Sequence, residues 1–420
     1  MIFLFIYALL GVHLAPAVFF VVVVLGLFKP GLWDGLAARF GFVPRRTGER
    51  PVVVWCASLG EVNTAQGLIR RFLNEGGAPV LVATFTPSGY ARARELFGER
   101  IATIVPVDIA PLAYRWMRRV EPRLLVLFET ELWPCAIFAA RRTGAKVVLV
   151  NGRLSDRSYR WYRIIRCGMR PALEKLTAVF PQSDLFAKRF AALGVSSDRM
   201  QVLGSLKFDV VAPPAPKEAA YYEKFAEGRR VFVAGSTHPG EESLVAQAVF
   251  ELRKTHPDLA LVIAPRHVNR CDEAAADIMR SGLSLARRAS SRVEEAAEAD
   301  VLLVDVLGEL SWVYGIGFAA FVGGSFGRRG GQNVLEAAVH GVPVVVGPYT
   351  PNFRMEVAAL RAAGGLTVVA SGVELAGTIE LWLSDADARQ TAGTAARSAL
   401  ESHQGTVART FQALQDLLDR

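Results

Sequence analysis

The sequence predicts a doubly wound α/β protein in two halves, each a parallel sheet flanked by helices. Three observations predict it. Short, β-branched-rich apolar runs alternate with stretches of helical spacing along most of the chain. A proline-rich segment, 211–217, interrupts that rhythm once, and a second βα series follows it. At 420 residues and 51% hydrophobic content, the chain is long enough for two domains with a large buried core each. Continuous apolar runs bounded by Gly or Pro read as strands buried on both faces of a parallel sheet.

Taken in order, the first 28 residues hold no charged residue. About 20 apolar residues suffice to cross a bilayer as a helix. An uncleaved anchor, spanning or monotopic, fits better than a cleaved signal peptide. No basic residue precedes the run, and Ala15-Pro16-Ala17 lies inside it rather than after it. Pro16 would kink such a helix. Lys29, Arg39, Arg45, Arg46 and Arg50 follow, so the positive-inside rule keeps this flank and the protein body in the cytoplasm.

The first βα series starts with Val52–Trp55 and the helical pattern Val62–Asn74, which has apolar residues at Leu68, Ile69 and Phe72. Val80–Thr84, Ile101–Val105, Leu124–Phe128, Val147–Val150 and Ala178–Phe180 continue it. The segment from Val211 to Lys217 reads as an extended linker. Val231–Ala234, Leu259–Ala264, Val301–Val304, Ala319–Val322 and Val342–Val346 form the second series, and Leu375 to Leu418 is helical in pattern. The expected division is an anchor over 1–28, an N-terminal domain over 29–210, the linker over 211–217 and a C-terminal domain over 218–420. Two such halves suggest a ligand cleft between them.

Net charge is +8 and the isoelectric point is near 9.5. Basic residues cluster near the anchor and between Arg141 and Arg170, without zinc spacing or an RNA-binding aromatic signature. An anionic membrane surface or a phosphorylated substrate is therefore expected, and no nucleic acid. Cys56, Cys135, Cys167 and Cys271 have no pairwise ligand spacing and read as reduced thiols. No cluster argues for a metal, and no cofactor is expected.

Chemistry is expected at the carboxyl ends of the strands, where open α/β sheets bind ligands. Glu61, in Ser58-Leu59-Gly60-Glu61, follows the first strand; Glu129 and Glu131 follow Leu124–Phe128. A carboxylate there is a candidate general base, or a group that stabilises developing positive charge. The plainer reading of Glu61 is a first-turn glutamate favoured by the helix dipole. In the second half, GSTHPGEE (235–242) suits an anion at a helix N-terminus, or is a simple capped turn. Arg266, in Pro265-Arg266-His267, suits a bidentate phosphate contact or is a solvated surface charge. Leu307-Gly308-Glu309 follows the VLLVD strand in the same way. The segment 323–336, GGSFGRRGGQNVLE, is stronger. Its glycines let backbone N–H groups approach a phosphate, and a helix starts at Gln332-Asn333. Glu336 can reach a ribose from that helix, or is a helix-face residue. The segment is neither a Walker A loop nor a GxGxxG.

Read together and in order, SLGE, TFTPSGY, VPVD, FETELWP, NGRLSDRS, GSLKFD, GSTHPGEE, PRH, DVLGEL, GGSFGRRGGQNVLE and GPYTPNF resemble the 3-deoxy-D-manno-octulosonic acid (Kdo) transferases of lipopolysaccharide assembly. The resemblance covers essentially the whole chain. It implies the GT-B fold, with two Rossmann-like domains facing a cleft and an N-terminal membrane-anchoring helix at the cytoplasmic side of the inner membrane. It implies CMP-Kdo as donor and the lipid A precursor (lipid IVA) as acceptor. By motif position, Glu61 corresponds to the catalytic base, and Glu129 and Lys207 to transition-state stabilisers. CMP contacts are implied for Pro265, Arg266, Leu307, Gly308, Glu309, Asn333, Val334, Leu335 and Glu336. Ser58, Gly60, Arg153 and Arg157 are candidates for acceptor binding, and Arg160, Arg163 and Arg166 extend that basic face or are simply solvated. Two positions depart from the family pattern: Trp55 stands where a His is usual, and Gln332 replaces the His of GGHNP, with Val334 following Asn333. Two alternatives stay open: a GT-B enzyme using a UDP-sugar and a lipid acceptor, or a non-catalytic phosphoglycolipid-binding protein.

Overall fold

The computed structural model describes residues 24, 33, 35–45 and 48–419. The expected anchor over 1–28 lies almost wholly outside the described residues. Among the described residues, no helix is long and apolar enough to cross a membrane. The chain divides into two compact units, one of residues up to Asp209 together with Gly405–Arg420, the other Val210–Gln404.

The first unit is built on a six-stranded parallel sheet: β1 (Val52–Cys56), β2 (Val80–Thr84), β3 (Ala102–Ile104), β4 (Leu124–Phe128), β5 (Lys146–Gly152) and β6 (Ala178–Pro181). Their order is β3-β2-β1-β4-β5-β6, all parallel. Every residue of β1, β2 and β4 is buried, which is why these strands read as unbroken apolar runs rather than alternating ones. Chain order reverses between β1 and β4, so the switch point of this sheet lies between them. The helix start bearing Glu61 and the turn bearing Glu129 follow these two strands.

Helix Leu59–Glu75 covers one face through Val62, Ala65, Leu68, Ile69 and Phe72, at the spacing one helical face requires. Trp55 points into the opposite core layer. There its ring packs edge-on against Trp116 at 6.1 Å and Trp133 at 5.7 Å. The position that departs from the family pattern therefore supports Trp133 from below.

The second unit carries β7 (Arg230–Thr237), β8 (Leu259–Pro265), β9 (Leu285–Arg287), β10 (Val301–Leu303), β11 (Ala319–Val322), β12 (Val344–Val346) and β13 (Leu366–Val368). The order is β13-β12-β11-β7-β8-β10-β9, again parallel throughout, with its switch point between β7 and β11. The three-residue strands β9 and β13 lie at the sheet edges and are only partly buried, so neither carries an apolar run.

The last helix, Thr406–Asp419, follows the second half in sequence but packs in the first unit, against the expected division at 218–420. Phe411 meets Phe72 edge-on at 4.9 Å, and Leu414 is fully buried beside it. Asp209 anchors the start of this helix by accepting from the backbone N–H of Gly405 (2.6 Å) and of Val407. Of residues 211–217, expected as a linker, 211–216 have no regular structure and Lys217 begins a turn.

Candidate active site

Three glutamates converge at the carboxyl edge of the first sheet. The loop after β1 is held from two sides. Phe85 and Thr86, at the end of β2, donate backbone N–H groups to the Ala57 carbonyl (3.2 and 2.9 Å). Gly89, in the first turn of the helix Pro87–Phe97 that follows, leaves so little room that an added Cβ would stand 3.2 Å from the Ser58 backbone. The TFTPSGY segment is thus the outer wall of SLGE. Ser58 caps helix Leu59–Glu75 by accepting from the Glu61 N–H at 3.4 Å. The Glu61 carboxylate turns back, accepting from the Ala57 N–H at 2.8 Å and the Ser58 hydroxyl at 3.3 Å. This is capping-box chemistry shifted by one residue. It explains why a glutamate is suited to this position and fixes where its oxygens point. Gly60 is exposed, and a Cβ there would touch nothing closer than Ser58 Oγ at 4.0 Å.

Glu129 follows β4 with a left-handed backbone, φ 51°, and is buried. Its N–H donates to the Val150 carbonyl (3.0 Å), and its carboxylate pairs with Arg153 at 2.8 Å. Holding a non-glycine residue at positive φ costs on the order of 1 kcal/mol or more, and such residues cluster at functional sites. Glu131 accepts from the Trp133 indole N–H. The three acids feel one another. Burial first, and then the charges of Glu131 and Glu129, push the Glu61 carboxyl up to about 8. Burial likewise raises Glu131, against its bond to Trp133. Burial raises the Cys56 thiol well above its ordinary range, and all three carboxylates add to the rise. Cys56 therefore lies beneath the cluster as an inert thiol.

Lys207 lies in the 3-10 turn Leu206–Phe208, which is tied to the end of β5. Asn151, itself at φ 55°, accepts from the Leu206 N–H through Oδ1 at 3.1 Å, and Gln182 donates to the Asn151 carbonyl at 3.0 Å. Asn151 therefore pins the 3-10 turn Leu206–Phe208 beside the segment that holds Glu129. The NGRLSDRS and GSLKFD segments form one structural unit around Lys207.

Helix Asp156–Ile164 starts from the Ser155 cap and buries none of its residues. Trp161 and Ile164 are 60% and 74% exposed. A groove of about 470 Å³ runs between this helix and the ETELWP turn, lined by Leu132, Pro134, Trp161, Tyr162, Ile165 and Met169, with Arg157 and Ser158. Tyr162 links the groove to the carboxylates: burial, with Glu131 adding to it, raises its hydroxyl to about 12.

In the second unit, the segments that end β7, β8 and β11 meet. Pro265 is buried, Arg266 is exposed, and the charge of Arg266 acts on Glu336. Burial raises the Glu336 carboxyl, opposed by a 3.0 Å bond from Asn333 Nδ2 and by Arg266. Asn333 Oδ1 also accepts from the Leu335 N–H at 3.2 Å. Val334 and Leu335 are fully buried core residues, so only their backbone can meet a ligand. The helix expected to start at Gln332-Asn333 is only Leu335–Ala338, too short to carry much of a dipole. Gln332 Nε2 lies 3.3 Å from His238 Nε2, so the residue replacing the usual His still makes a polar contact. Leu307 is 82% exposed, and Gly308 has φ 88°. The Glu309 carboxylate is engaged by the Tyr222 hydroxyl and by Arg288 (3.2 Å). These contacts hold the turn after β10, whose outward face is Leu307 and Gly308.

One functional feature is missed by sequence reasoning. The N–H groups of Gly324, Ser325 and Phe326, expected to face a phosphate, are taken by the carboxylate of Glu241. The signal that could have found it is the GEE that closes GSTHPGEE. Among the described residues, no group of His, Cys, Asp or Glu could hold a metal ion.

Two parallel Rossmann-type units, each with ligand-type loops at its switch point, make the GT-B architecture. A glycosyltransferase from Rickettsia africae superposes with a TM-score of 0.59, covering 89% of this chain and 100% of that one at 12% identity. A UDP-N-acetylglucosamine 2-epimerase from Listeria monocytogenes gives 0.58, covering 87% and 98% at 14% identity. At such identities the likeness concerns the fold alone. The sequence comparison is more specific. Residues 34–210 match the 3-deoxy-D-manno-octulosonic-acid transferase family. The transferase of that name from Bordetella pertussis is 37% identical over 412 residues, 92% of this chain and 93% of its own. The Haemophilus influenzae transferase is 29% identical over 99% of both chains. The chain belongs to the Kdo transferase family and is a glycosyltransferase that transfers Kdo.

Proposed function

We propose that the protein transfers Kdo from CMP-Kdo to the lipid A precursor in lipopolysaccharide assembly, with Glu61 as the general base. The observation that carries this reading is the carboxylate cluster. A base must take the proton of the attacking sugar hydroxyl as the new glycosidic bond forms, and Glu61, pushed up to about 8, holds a proton more strongly than an ordinary carboxylate. The bond between the Kdo anomeric carbon and the CMP phosphate breaks as this occurs, and its electron pair leaves with CMP. Positive charge on the sugar ring is offset by Glu129, held rigid by Arg153. Arg266 supplies a cation for the negative charge growing on the leaving phosphate, and Lys207 is a second transition-state stabiliser on the first unit. Asn333 and Glu336 receive the ribose, and the backbone of Pro265, Leu307 and Gly308 frames the nucleotide. Ser58 and Gly60 border the acceptor hydroxyl.

Two experiments test this. Incubating the purified protein with CMP-Kdo and tetraacylated lipid A precursor is expected to add Kdo, read as product mass. CMP is expected to raise Tm and UDP to leave it unchanged, since a ligand stabilises the state it binds. A shift with UDP alone would replace the donor assigned here.

The same reading gives the groove beside the ETELWP turn to the acceptor and to the anionic inner-membrane surface from which it comes. Arginine beside exposed Trp and Ile is the composition of an interfacial helix. The paired substitution Arg157→Glu and Trp161→Ser is expected to raise the acceptor KM about a hundredfold in anionic vesicles, losing roughly 1 kcal/mol for the basic residue and about 1.5 kcal/mol or more for the ring that enters the interface. CMP affinity stays as it was. An unchanged acceptor KM would remove this helix from the acceptor path.

A further inference from the structure

Glu241 opens helix Glu241–Arg253 after β7 and is only 3% exposed. Its Oε1 accepts from the N–H groups of Ser325 (2.9 Å) and Phe326 (3.0 Å). Its Oε2 accepts from Gly324 (2.7 Å) and His238 (2.9 Å). Three successive N–H groups turned to one point make an anion-binding nest. Here the anion is the protein's own carboxylate. Gly323 is the residue that admits it: an added Cβ would stand 2.7 Å from Glu241 Oε2 and 2.6 Å from the Ser236 carbonyl. The first glycine pair of GGSFGRRGGQN thus serves the approach of a carboxylate rather than of a phosphate.

The held loop passes its position onward. The Gly324 carbonyl accepts from the Gly331 N–H at 2.8 Å, immediately before Gln332 and Asn333. The Ser325 hydroxyl accepts from the Gly347 N–H at 2.8 Å, and the Ser325 carbonyl from Tyr349 at 2.9 Å, so the GPYTPNF segment is fixed from the same point. Asn352 returns the bond, its N–H reaching the Gly330 carbonyl at 3.0 Å. Every link from Glu241 to the Asn333–Glu336 pair is a hydrogen bond or an adjacent residue.

We propose that Glu241 is a positioning residue for donor binding: by filling the nest of the glycine-rich loop it sets Gln332, Asn333 and Glu336 for the nucleotide. The inference rests on the reading of the second unit as the CMP-Kdo site. The donor phosphate, excluded from a nest already filled, draws on side-chain cations such as Arg266 instead. Glu241→Gln keeps the size of the side chain but turns an amide NH₂ toward N–H donors and removes the charge.

The test is calorimetric titration of CMP into the full chain, with KM values for CMP-Kdo and for the acceptor. Wild-type protein is expected to bind CMP, and Glu241→Gln to bind it about ten- to hundredfold more weakly, as the loss of charge-assisted bonds implies. The donor KM rises with it, and the acceptor KM stays within about twofold. If Glu241→Gln does not fold, Glu241→Asp, which keeps the charge but withdraws both oxygens by one methylene, is read in the same way. Unchanged CMP affinity in the folded variant overturns the role of Glu241, as does an equal rise of both KM values with a fall in Tm, which marks a merely structural residue. Failure of the wild type to bind CMP overturns the donor reading itself.

Discussion

Glu61→Gln is expected to lower kcat for Kdo transfer by about 10²- to 10⁴-fold, the range a positioned general base contributes. The amide keeps a carbonyl oxygen for the Ala57 N–H, which the carboxylate holds at 2.8 Å, so the cap of helix Leu59–Glu75 survives. The CMP contacts proposed above lie in the second unit and are untouched. Initial rates followed by product mass, beside calorimetric CMP affinity, separate the two effects. A rate within about tenfold of wild type would mean that another group takes the acceptor proton.

The pH profile carries the same assignment. A base must be deprotonated to act, so kcat/KM is expected to rise with pH through about 8, the value to which burial, Glu131 and Glu129 push Glu61. The sign for stability is opposite. The folded protein binds this proton more tightly than the unfolded chain, where the carboxyl returns to its ordinary 4.5. Unfolding therefore releases the proton between these values, and Glu61 costs stability progressively as pH rises from about 4.5 to about 8. The destabilising range of this carboxylate ends where its catalytic limb is centred, so the base becomes active only once its stabilising proton is lost.

Much of the first unit is legible in its amino acids. The strands β1, β2 and β4 are buried on both faces, so their sequences are continuous Val, Leu and Ala runs whose ends are visible. Because ligand sites follow the ends of such strands, Glu61 and Glu129 stand out by position alone. Other features depend on partners distant in sequence. The return of Thr406–Asp419 to the first unit rests on Asp209 and on Phe72 against Phe411. The contacts of Glu309 are with Tyr222 and Arg288, far from it in sequence. The short edge strands β9 and β13 have no apolar run to announce them. The glycine-rich loop is the most instructive case. Its spacing marks N–H groups free to meet an anion, but composition cannot say whether that anion is a ligand or a glutamate 83 residues away.

Neutralising the neighbours of Glu61 is expected to move its limb of the pH profile without removing the base. After burial, Glu131 is the larger cause of the raised Glu61 value and Glu129 the smaller. Glu131→Gln is therefore expected to shift the rising limb of kcat/KM to lower pH, and Glu129→Gln to shift it less. The two variants differ in what remains at high pH. Glu131 is bonded to the Trp133 indole, and its amide replacement can keep that bond, so the plateau is largely retained. Glu129 faces the developing charge in the proposed mechanism, and its loss leaves Arg153 without the carboxylate it meets at 2.8 Å. The plateau of Glu129→Gln is expected to fall by about 10²-fold or more, the scale of one lost electrostatic contact at a transition state. A profile that keeps its limb near 8 in both variants would mean that the three acids do not act as one cluster. A Glu129→Gln plateau equal to wild type would leave Glu129 as a structural partner of Arg153, and the developing charge would then be met by another group.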